Sequence, residues 1–439
     1  MDETTKQKLL DVMKSKLNRQ LLYYLDVCAK CGACKDACHI YRATGKAELV
    51  PSHRADLLRR LYRRHFTSAG RVFPSLYEAT DLSDQLLDEM YQAAFTCTGC
   101  RRCMVYCPFG IDLTWVIGVE KAMLSAVGKV PEELNMLADA AIEKGNSIDL
   151  YREIMQDQIR SLEPELRELT GMPDATIPMG KKGARVLYVA LAGTGSILPP
   201  AVIFNLAGED WTLSEFEAAN YGYFLGDTAR AARIAERIVN EAKELGVEEV
   251  VLTECGHAYR VMKHLDEVWS KQKFPFKVLS VFEPWARYLK EGRVKVLRPI
   301  AEPATYHDPC QLGRNGGIYE EPREVVKAIC TDFRDMTPNR EKNWCCGGGG
   351  GLVAQTDLEE FRADTGLVKA EQVRATGARI AATPCENCRL QLALLNERYH
   401  LGVEVVAVTD LLVRAVAPGA LRKPEQEPRE TAREQEASA

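Results

Sequence analysis

The stretch CAKCGACKDAC at residues 28–38 spaces its four cysteines as C-x2-C-x2-C-x3-C, and the stretch CTGCRRCMVYCP at residues 97–108 repeats that spacing. Three thiolates two residues apart can wrap one face of a cubane 4Fe-4S cluster, while the fourth, held away by the wider gap, reaches the neighbouring cluster. The repeat therefore predicts two cubane clusters that exchange their fourth ligands. One predicted set is Cys28, Cys31, Cys34 and Cys107, and the other is Cys97, Cys100, Cys103 and Cys38.

Structural zinc sites also use the C-x2-C spacing and are the alternative for these cysteines. Zinc needs only four ligands and gains nothing from three evenly spaced cysteines with a distant fourth. The repeat therefore favours iron–sulfur clusters over zinc.

The composition of the chain bounds its class. A length of 439 residues exceeds one ordinary core, so we expect two or three domains. The formal net charge is −5, which argues against a general nucleic-acid-binding protein. Clustered thiols must stay reduced to bind iron, and the N-terminal residues MDETTK lack the apolar core of a signal peptide. We therefore expect a cytoplasmic protein from an anaerobic setting.

An uncharged stretch at residues 186–208 is long enough to span a bilayer. Gly193, Gly195 and the pair Pro199-Pro200 divide it into short apolar runs, which favours buried elements of an α/β sheet over a transmembrane helix. A peripheral position on the inner face of a membrane would then depend on partner subunits.

The N-terminal region has the pattern of a helical domain, predicted over residues 1–170. Apolar residues at helical spacing predict helices at Thr5–Leu25, Arg54–Phe66 and Asp81–Phe95, and the helical pattern continues to about Leu169.

A run of four arginines lies within residues 59–64 of this region. Charge runs of this kind favour a solvated helix face, and docking of an acidic partner or anionic lipid is the alternative. Residues 171–182, rich in Gly, Pro and Lys, are expected to form a linker.

After residue 182 the pattern alternates between strands and helices, which predicts an α/β domain with a mostly parallel sheet over residues 183–417. The charged residues 418–439, rich in Glu, Pro and Arg, are predicted to form a disordered tail. The predicted strands are Arg185–Leu191, Glu249–Thr253, Lys277–Val281, Ala304–His307, Ala378–Ala382 and Val403–Val408, and the clearest predicted helices are Thr228–Leu245 and Asp357–Ala375.

Five further cysteines form a third set on this scaffold. Cys310, Cys385 and Cys388 follow predicted strands, at the edge where open α/β sheets place their sites. The pair Cys345-Cys346 precedes five consecutive glycines. Adjacent cysteines can ligate two neighbouring irons of one larger cluster, and glycines let the backbone approach its sulfides. A glycine-rich phosphate loop is disfavoured because the stretch lacks a Gly-Lys-Ser/Thr ending.

The order of these motifs, Asp308-Pro309-Cys310, Cys345-Cys346-Gly347 and Cys385-x2-Cys388, resembles the cysteine-rich CCG domain of heterodisulfide reductase, of succinate- and lactate-linked oxidoreductases and of the C-type chain of glycerol-3-phosphate dehydrogenase. Joined to a two-cluster ferredoxin module, it is similar to the D-type and DsrK-type iron–sulfur subunits of the heterodisulfide reductase family. The resemblance implies an α + α/β fold, in which a helical two-cluster ferredoxin domain precedes an α/β CCG domain with mostly parallel sheets. Residues 183–300 would be the degenerate first half of the CCG domain, and residues 301–417 would carry the complete motif.

In that family the five cysteines of a complete motif can hold a noncubane 4Fe-4S cluster at which a disulfide is cleaved. The resemblance also implies partners: a membrane cytochrome b-type or quinone-interacting subunit, other redox subunits, and a thiol or disulfide substrate that is a small molecule or a protein. The ligands carried over by the resemblance are Cys310, Cys345, Cys346, Cys385 and Cys388.

Only Cys255 remains where a first complete motif would lie, so one noncubane cluster is expected rather than two. Because Cys255 also follows a predicted strand, it could face the same site as an extra ligand or a redox-active thiol. The alternative is a buried core residue, which is the common state of a free cysteine. By that argument Cys330, on a predicted helix, is expected to be core.

Cleavage of a disulfide takes two electrons and up to two protons, so proton donors are expected near the third site. His257 and His307 are the candidates, with Glu254 and Glu386 behind them. For His307, an orienting role is the alternative. The predicted catalytic residues are thus Cys255, His257, His307 and Glu254.

Together these inferences predict an iron–sulfur oxidoreductase subunit of a membrane redox complex, which moves electrons between a quinone-linked partner and a disulfide or dithiol. An alternative from a different class is an electron relay without a substrate of its own, serving a flavin or quinone-linked dehydrogenase. A zinc-bearing scaffold is the third interpretation.

Overall fold

The structure is a computed structural model of the 439-residue chain, and it describes residues 1–143, 151–191, 194–264 and 273–419. Helices alone build the described chain ahead of the first strand. They are α1 (Glu3–Lys16), α2 (Arg19–Val27), α3 (Ala33–Ala37), α4 (His39–Thr44), α5 (Pro51–Phe66), α6 (Ser68–Val72), α7 (Asp84–Phe95), α8 (Arg102–Val105), α9 (Leu113–Ala126), α10 (Glu132–Glu143) and α11 (Tyr151–Thr170).

The prediction of a single helix at Thr5–Leu25 is wrong, because α1 and α2 are separate helices. Leu17 between them has an extended backbone with ψ of 113°. The Asn18 side chain then caps α2 by accepting a hydrogen bond of 2.9 Å from the backbone N–H of Leu21. Both helices bury leucines in the N-terminal core, so the apolar periodicity continues across the break between α1 and α2.

Helix α9 is the centre of the helical part, since α1, α2, α5 and α7 all contact it. The Asp112 side chain caps α9 by accepting hydrogen bonds of 3.1 and 3.3 Å from the backbone N–H groups of Thr114 and Trp115. Asp112 also pairs with Arg101 at 2.9 Å. The start of α9 is thereby tied to the second cysteine stretch.

The arginine run on α5 is not a solvated face at Arg59, so that prediction is wrong there. The Arg59 guanidinium is buried and donates hydrogen bonds of 2.6 Å to the Leu25 carbonyl and 2.5 Å to Asp56. Arg63 is half-buried and donates a hydrogen bond of 3.0 Å to the Tyr77 carbonyl. These arginines hold neighbouring segments of the helical part together.

Seven strands form two sheets in the rest of the described chain. The strands are β1 (Val186–Val189), β2 (Trp211–Leu213), β3 (Glu249–Leu252), β4 (Lys277–Ser280), β5 (Ala304–Tyr306), β6 (Ile380–Thr383) and β7 (Glu404–Ala407). The helices are α12 (Leu198–Leu206), α13 (Tyr221–Phe224), α14 (Thr228–Leu245), α15 (Gly256–His264), α16 (Phe282–Lys290), α17 (Glu320–Ile329), α18 (Glu359–Thr365), α19 (Leu367–Thr376), α20 (Glu386–Tyr399) and α21 (Val408–Val416).

One sheet has the strand order β2-β1-β3-β4 and the other β5-β6-β7, and every neighbouring pair of strands is parallel. The predicted α + α/β fold class is confirmed. The prediction missed β2, which has only three residues and pairs with β1 by setting Trp211 opposite Val186.

The uncharged stretch at residues 186–208 supplies β1 and α12, as the breaks by glycine and proline predict. Within the described ranges, no helix is long and apolar enough to cross a membrane.

Residues 171–182 contain no helix, and they pack on the first sheet rather than spanning a gap. Ala175 and Ile177 are buried, and Met179 forms a parallel bridge with Leu213. The expected linker is therefore part of the α/β core.

The predicted tail at residues 418–439 begins in an ordered position, because the Gly419 N–H donates a hydrogen bond of 3.0 Å to the Leu169 carbonyl on α11. Residues 420–439 lie outside the described residues.

The carboxyl ends of β3, β5 and β6 lead into the loops that carry Cys255, Cys310 and Cys385. The Glu386 N–H donates a hydrogen bond of 3.0 Å to the Glu254 carbonyl, which joins the loop after β6 to the loop after β3. The two sheets therefore meet at the edge where their cysteines lie.

Candidate metal centres

The first cavity lies between the loop at residues 28–34 and the loop at residues 107–109. Lys30 and Gly32 have positive φ of 52° and 83°, which lets residues 28–34 wrap the cavity before α3 begins. Of the cysteines in its wall, Cys31 is exposed and Cys34 is buried. The four cysteines of this wall are Cys28, Cys31, Cys34 and Cys107.

The second cavity is lined by residues 37–40 and by the second cysteine stretch. Gly99 and Arg101 have positive φ of 63° and 60°, and the ion pair of Arg101 with Asp112 fixes this loop against α9. Burial raises the pKa of Cys38 and of Cys103. The four cysteines of this wall are Cys38, Cys97, Cys100 and Cys103.

Each cavity therefore has four thiols and the chemistry of an iron–sulfur site. Thiolates are the usual ligands of 4Fe-4S clusters. Thiols buried this deeply are not stable as anions without a nearby cation, and iron would supply that charge. The cavity walls contain the same two groups of cysteines that the spacing predicts, and cluster ligation itself stays a prediction.

The third site is built from three loops of the α/β part. The sulfurs of Cys346 and Cys388 are 3.4 Å apart. The thiols of Cys100, Cys310 and Cys346 adjoin the Cys345 sulfur and hold its pKa well below the usual range. The five predicted ligands of this site are all buried: Cys310, Cys345, Cys346, Cys385 and Cys388.

Glycines after the cysteine pair bring the backbone close to these sulfurs. The N–H groups of Gly347 and Gly348 lie 3.4 and 3.5 Å from the sulfurs of Cys345 and Cys346, respectively. Gly347 has φ of +107°, a conformation that L side chains rarely adopt. The loop thus offers N–H donors to a charged sulfur site, as the five-glycine run predicts.

The second and third sites share a wall. A Cβ atom on Gly350 would lie 2.4 Å from the Cys97 carbonyl oxygen, so only glycine fits there. The Cys345 sulfur lies 3.5 Å from the Thr98 hydroxyl. The Cys100 thiol adjoins Cys345 as well, so a cysteine of the second cavity reaches the third site.

Cys255 lies at the rim of the third site and is less buried than the five predicted ligands. It is the residue before α15, whose first N–H group, that of Gly256, points to the Cys385 sulfur. Burial, together with the charge of Cys385, raises the pKa of Cys255 to about 12. The structure therefore brings Cys255 to the third site, whether as a ligand or as a thiol.

The two candidate histidines are both buried. His307 has its Nδ1 atom 3.3 Å from the Asn343 side-chain nitrogen, and burial lowers its pKa well below the usual range. His257 packs edge-on against Phe224 with ring centroids 4.5 Å apart, and burial lowers its pKa to about 3. Neither His257 nitrogen has a partner among the described residues. Both imidazoles are therefore neutral at neutral pH.

The two candidate glutamates make contacts of their own. The Glu254 carboxylate accepts hydrogen bonds of 2.7 and 2.6 Å from the backbone N–H and hydroxyl of Thr409, at the start of α21. Burial raises the pKa of Glu254 to about 8. The Glu386 carboxylate pairs with Arg389 at 2.5 Å. Both carboxylates thus stabilise the loops that carry the cysteines.

Cys330 is buried in the core and lies one residue beyond the end of α17, rather than on a helix as predicted. It forms a parallel bridge with Ile300, and burial raises its pKa to about 11. Its surroundings are apolar and contain none of the thirteen clustered cysteines.

The sequence analysis did not predict that two lysines, Lys369 and Lys121, are buried. Lys369 on α19 is 0% exposed, and burial lowers its pKa to about 7. Lys121 on α9 donates a hydrogen bond of 3.0 Å to the Phe224 carbonyl, and burial lowers its pKa to about 8. Helix patterns gave no signal for them, because a lysine in an amphipathic helix is ordinarily a surface residue.

Comparisons with known proteins match both parts of the chain. Residues 24–111 match the family described as "4Fe-4S dicluster domain", and residues 304–393 match the family described as "Cysteine-rich domain". The Archaeoglobus fulgidus protein "Hdr-like menaquinol oxidoreductase iron-sulfur subunit 2" is 30% identical, over 97% of this chain and 86% of that one.

Two further relatives have related descriptions. The D-type chain of the "Dihydromethanophenazine:CoB–CoM heterodisulfide reductase" of Methanosarcina mazei is 27% identical over 90% of this chain and 95% of that one. The "EtfAB:quinone oxidoreductase" of Syntrophomonas wolfei is 23% identical over 84% of this chain and only 55% of that one.

Proposed function

This chain belongs to the family of Hdr-like iron–sulfur oxidoreductase subunits, and on that premise we propose that it moves electrons between a quinol-linked membrane partner and a noncubane 4Fe-4S site. At that site a disulfide would be reduced or a dithiol oxidised. The observation that carries the proposal is the continuous series of three cysteine sites, in which Cys100 of the second cavity adjoins Cys345 of the third.

The first two sites would hold cubane clusters with exchanged ligands. Short helices join the two cavities, since α3 contains Cys34 and ends next to Cys38, and α8 lies between Cys100 and Cys107. When bound, the cubanes supply one-electron transfer, and the third cluster supplies iron atoms to which a sulfur can bind. The thirteen clustered cysteines are the proposed ligands.

At the third site, Cys255 would face the incoming sulfur, because it is more exposed than the buried ligands around it. Reduction of a disulfide takes two electrons, delivered through the cubanes, and two protons, one for each thiol formed. His307 and His257 are the proposed proton-handling groups, with Glu254 holding the Cys255 loop against α21. The substrate class is a thiol–disulfide couple, either a small molecule or a protein.

Electrons would enter or leave through the first cavity, where Cys31 reaches the surface. Lys30, beside it, pairs at 2.7 Å with Glu78 at the end of an exposed segment, residues 72–78, which begins with the last residue of α6 and continues as a loop. This docking loop presents apolar side chains to solvent, as interfaces do. Their exposed fractions are 66% for Val72, 59% for Phe73, 77% for Leu76 and 41% for Tyr77.

We propose that the docking loop binds the quinone-linked subunit, because a redox partner must approach an exposed cluster. The protein would then be peripheral on the cytoplasmic face of the membrane, held there by this partner. The "menaquinol oxidoreductase" in the description of the Archaeoglobus fulgidus relative supports a quinol as the electron source.

A second candidate function is an electron relay in which the third site passes electrons to a flavin protein and has no substrate of its own. The Syntrophomonas wolfei relative, described as an EtfAB:quinone oxidoreductase, favours this interpretation. The two functions differ in whether a thiol ever binds at the third site.

The test uses the full chain, purified anaerobically and examined by electron paramagnetic resonance. Under the leading proposal, added substrate thiol produces a new signal in the oxidised protein, and Cys255→Ser or His257→Gln abolishes thiol–disulfide turnover with all clusters intact. Unchanged turnover in both variants would contradict catalysis at the third site. Iron and acid-labile sulfide analysis tests the cofactors, and substantial zinc with little sulfide would favour a scaffold.

A further inference from the structure

The ammonium group of Lys369 is buried, and no carboxylate of the described residues pairs with it. Its hydrogen-bond partners are the Asn343 Oδ1 atom at 2.8 Å, the Gln372 Oε1 atom and the Met336 sulfur at 3.6 Å. An ammonium group donates three hydrogen bonds and accepts none. Lys369 donates to all three neighbours, and the atom of Asn343 that faces it is the oxygen.

The orientation of the Asn343 amide follows from this contact. With its oxygen held by Lys369, the amide nitrogen lies 2.7 Å from the Asp308 carbonyl oxygen, which can only accept. Both neighbours thus demand the same orientation. The second N–H of that nitrogen then points to His307 Nδ1, 3.3 Å away.

The protonation of His307 follows in turn. Because Nδ1 accepts a hydrogen bond from Asn343, a neutral imidazole must carry its proton on Nε2. The Nε2 atom is buried and has no partner among the described residues. A ring nitrogen of His307 and the sulfurs of Cys346 and Cys388 all lie within 4.8 Å of one another. Because Asn343 engages Nδ1, the Nε2–H group is the ring donor of His307 that is available to these sulfurs.

We propose that Lys369 is a positioning residue that acts through Asn343 to hold His307 as an N–H donor toward sulfur at the third site. This inference rests on the proposed function, since it assigns the donor to the proposed cluster. The fixed Nε2–H has two consequences: His307 is not a metal ligand, because ligation needs a lone pair on that nitrogen, and its hydrogen bond favours the reduced cluster.

The first test is a double-variant cycle that measures the reduction potential of the third cluster in the full chain. Lys369→Met and His307→Leu each lower the potential, because the first loosens the orientation of the donor and the second removes the donor. In the His307→Leu background, Lys369→Met produces a markedly smaller shift, since its effect passes through the imidazole. The exposed Lys327→Met is the matched control and leaves the potential unchanged. Equal shifts by Lys369→Met in both backgrounds would show a charge effect alone and overturn the proposal.

The decisive measurement of the second test uses the wild-type protein, so it does not depend on a variant that could fail to fold. Pulsed paramagnetic resonance of the wild-type protein, labelled with 15N-histidine, should show a weakly coupled nitrogen with a proton that exchanges in D2O. Asn343→Asp replaces the donor to Nδ1 by an acceptor, moves the proton to Nδ1 and removes the exchangeable coupling. A strongly coupled, directly bound histidine nitrogen in the wild-type protein would overturn the proposal.

Iron analysis separates failure of this inference from failure of the proposed function. Iron sufficient for only two cubanes would contradict the noncubane site. X-ray absorption of whatever other metal occupies the third site then still reports on His307. All-sulfur coordination supports the fixed Nε2–H, and a nitrogen ligand overturns it.

Discussion

Both carboxylate oxygens of Asp308 accept hydrogen bonds of 2.6 Å from the guanidinium of Arg323, and both side chains are almost completely buried. Asp308 also accepts a hydrogen bond of 2.8 Å from the backbone N–H of Arg340. It lies two residues before Cys310. This ion pair therefore anchors the first loop of the third site to α17.

Removal of one partner from the Asp308–Arg323 pair should lower the stability of the folded protein. Asp308→Asn leaves a buried guanidinium partly uncompensated, and we expect a loss of about 3 kcal/mol in the free energy of unfolding. The exposed pair of Arg334 with Asp332 is the matched control, and Asp332→Asn should change stability little. Denaturant unfolding measures both, and equal losses in the two variants would contradict the role of burial.

The wall between the second and third sites should tolerate no side chain at Gly350. Gly350 and Gly292 have nearly equal φ, +70° and +71°, but a Cβ atom on Gly292 would contact nothing. We expect Gly292→Ala to cost about 1 kcal/mol, from backbone strain alone. Gly350→Ala should cost about 3 kcal/mol, because overpacking adds to the strain.

The same comparison can be followed spectroscopically. Gly350→Ala should alter the paramagnetic signals of the second and third clusters, while Gly292→Ala leaves them unchanged. Identical spectra and stabilities for the two variants would show that the shared wall does not constrain the clusters.

Exchange of the fourth ligands can be tested by pairing serine variants. Cys107→Ser should remove the same cubane signal as Cys31→Ser, and Cys38→Ser the same signal as Cys97→Ser, because each pair lines one cavity. Low-temperature paramagnetic resonance of the reduced protein distinguishes the two. Cys330→Ala is the control and should keep all the iron. If Cys107→Ser instead matched Cys97→Ser, the ligands would not be exchanged.

The docking loop predicts where the membrane partner binds. Phe73→Asp and Leu76→Asp should each weaken binding to membranes that contain the quinone-linked subunit by about tenfold, as loss of a central apolar contact does. Leu297 is 54% exposed elsewhere on the surface, so Leu297→Asp is the matched control. Quinol-driven reduction of the cubanes measures the effect, and chemical reduction by dithionite should stay normal in every variant.

The buried Glu254 predicts a pH dependence of stability. Burial raises its pKa from the ordinary value of 4.5 to about 8. The folded protein thus binds this proton more tightly than the unfolded chain does, so its stabilising contribution is complete below pH 4.5 and is lost as the pH rises through 8. Glu254→Gln keeps an acceptor for Thr409 and has no proton to lose.

Calorimetry between pH 6 and pH 8 can measure this effect on the intact protein. The thermal midpoint of Glu254→Gln should fall less over that interval than the wild-type midpoint. Asp410, whose pKa burial raises to about 6, is present in both proteins. Parallel pH curves would mean that Glu254 titrates at its ordinary value.

Much of this architecture can be predicted from the sequence because it depends on the spacing of residues that are close together in the chain. The cysteine repeats are short enough that one loop surrounds each cavity, and the turn conformations of Gly32 and Gly99 are typical of glycine. Buried parallel strands are apolar runs, so six of the seven strands were predicted. The three residues of β2 were missed because they are too short to show a pattern.

Features that depend on contacts between distant segments were not predicted. Asn18 caps the start of α2, but its neighbours keep helical apolar spacing, which concealed the break between α1 and α2. Arg59 is buried because Leu25 and Asp56 lie beside it in the fold. Likewise the proposed role of Lys369 depends on its contact with Asn343, which lies on a loop outside α19. The residue spacing within α19 does not predict that contact.

The close fit of Gly349 and Gly350 on the backbone of Cys97 and Thr98 has a consequence for the speed of turnover. The two backbones lie so close that no side chain fits between them. With the proposed clusters in the second and third sites, the distance between them would be set by this backbone contact. Under the proposed function, a slow rearrangement would then take place elsewhere, at the docking loop or at the approach to Cys255.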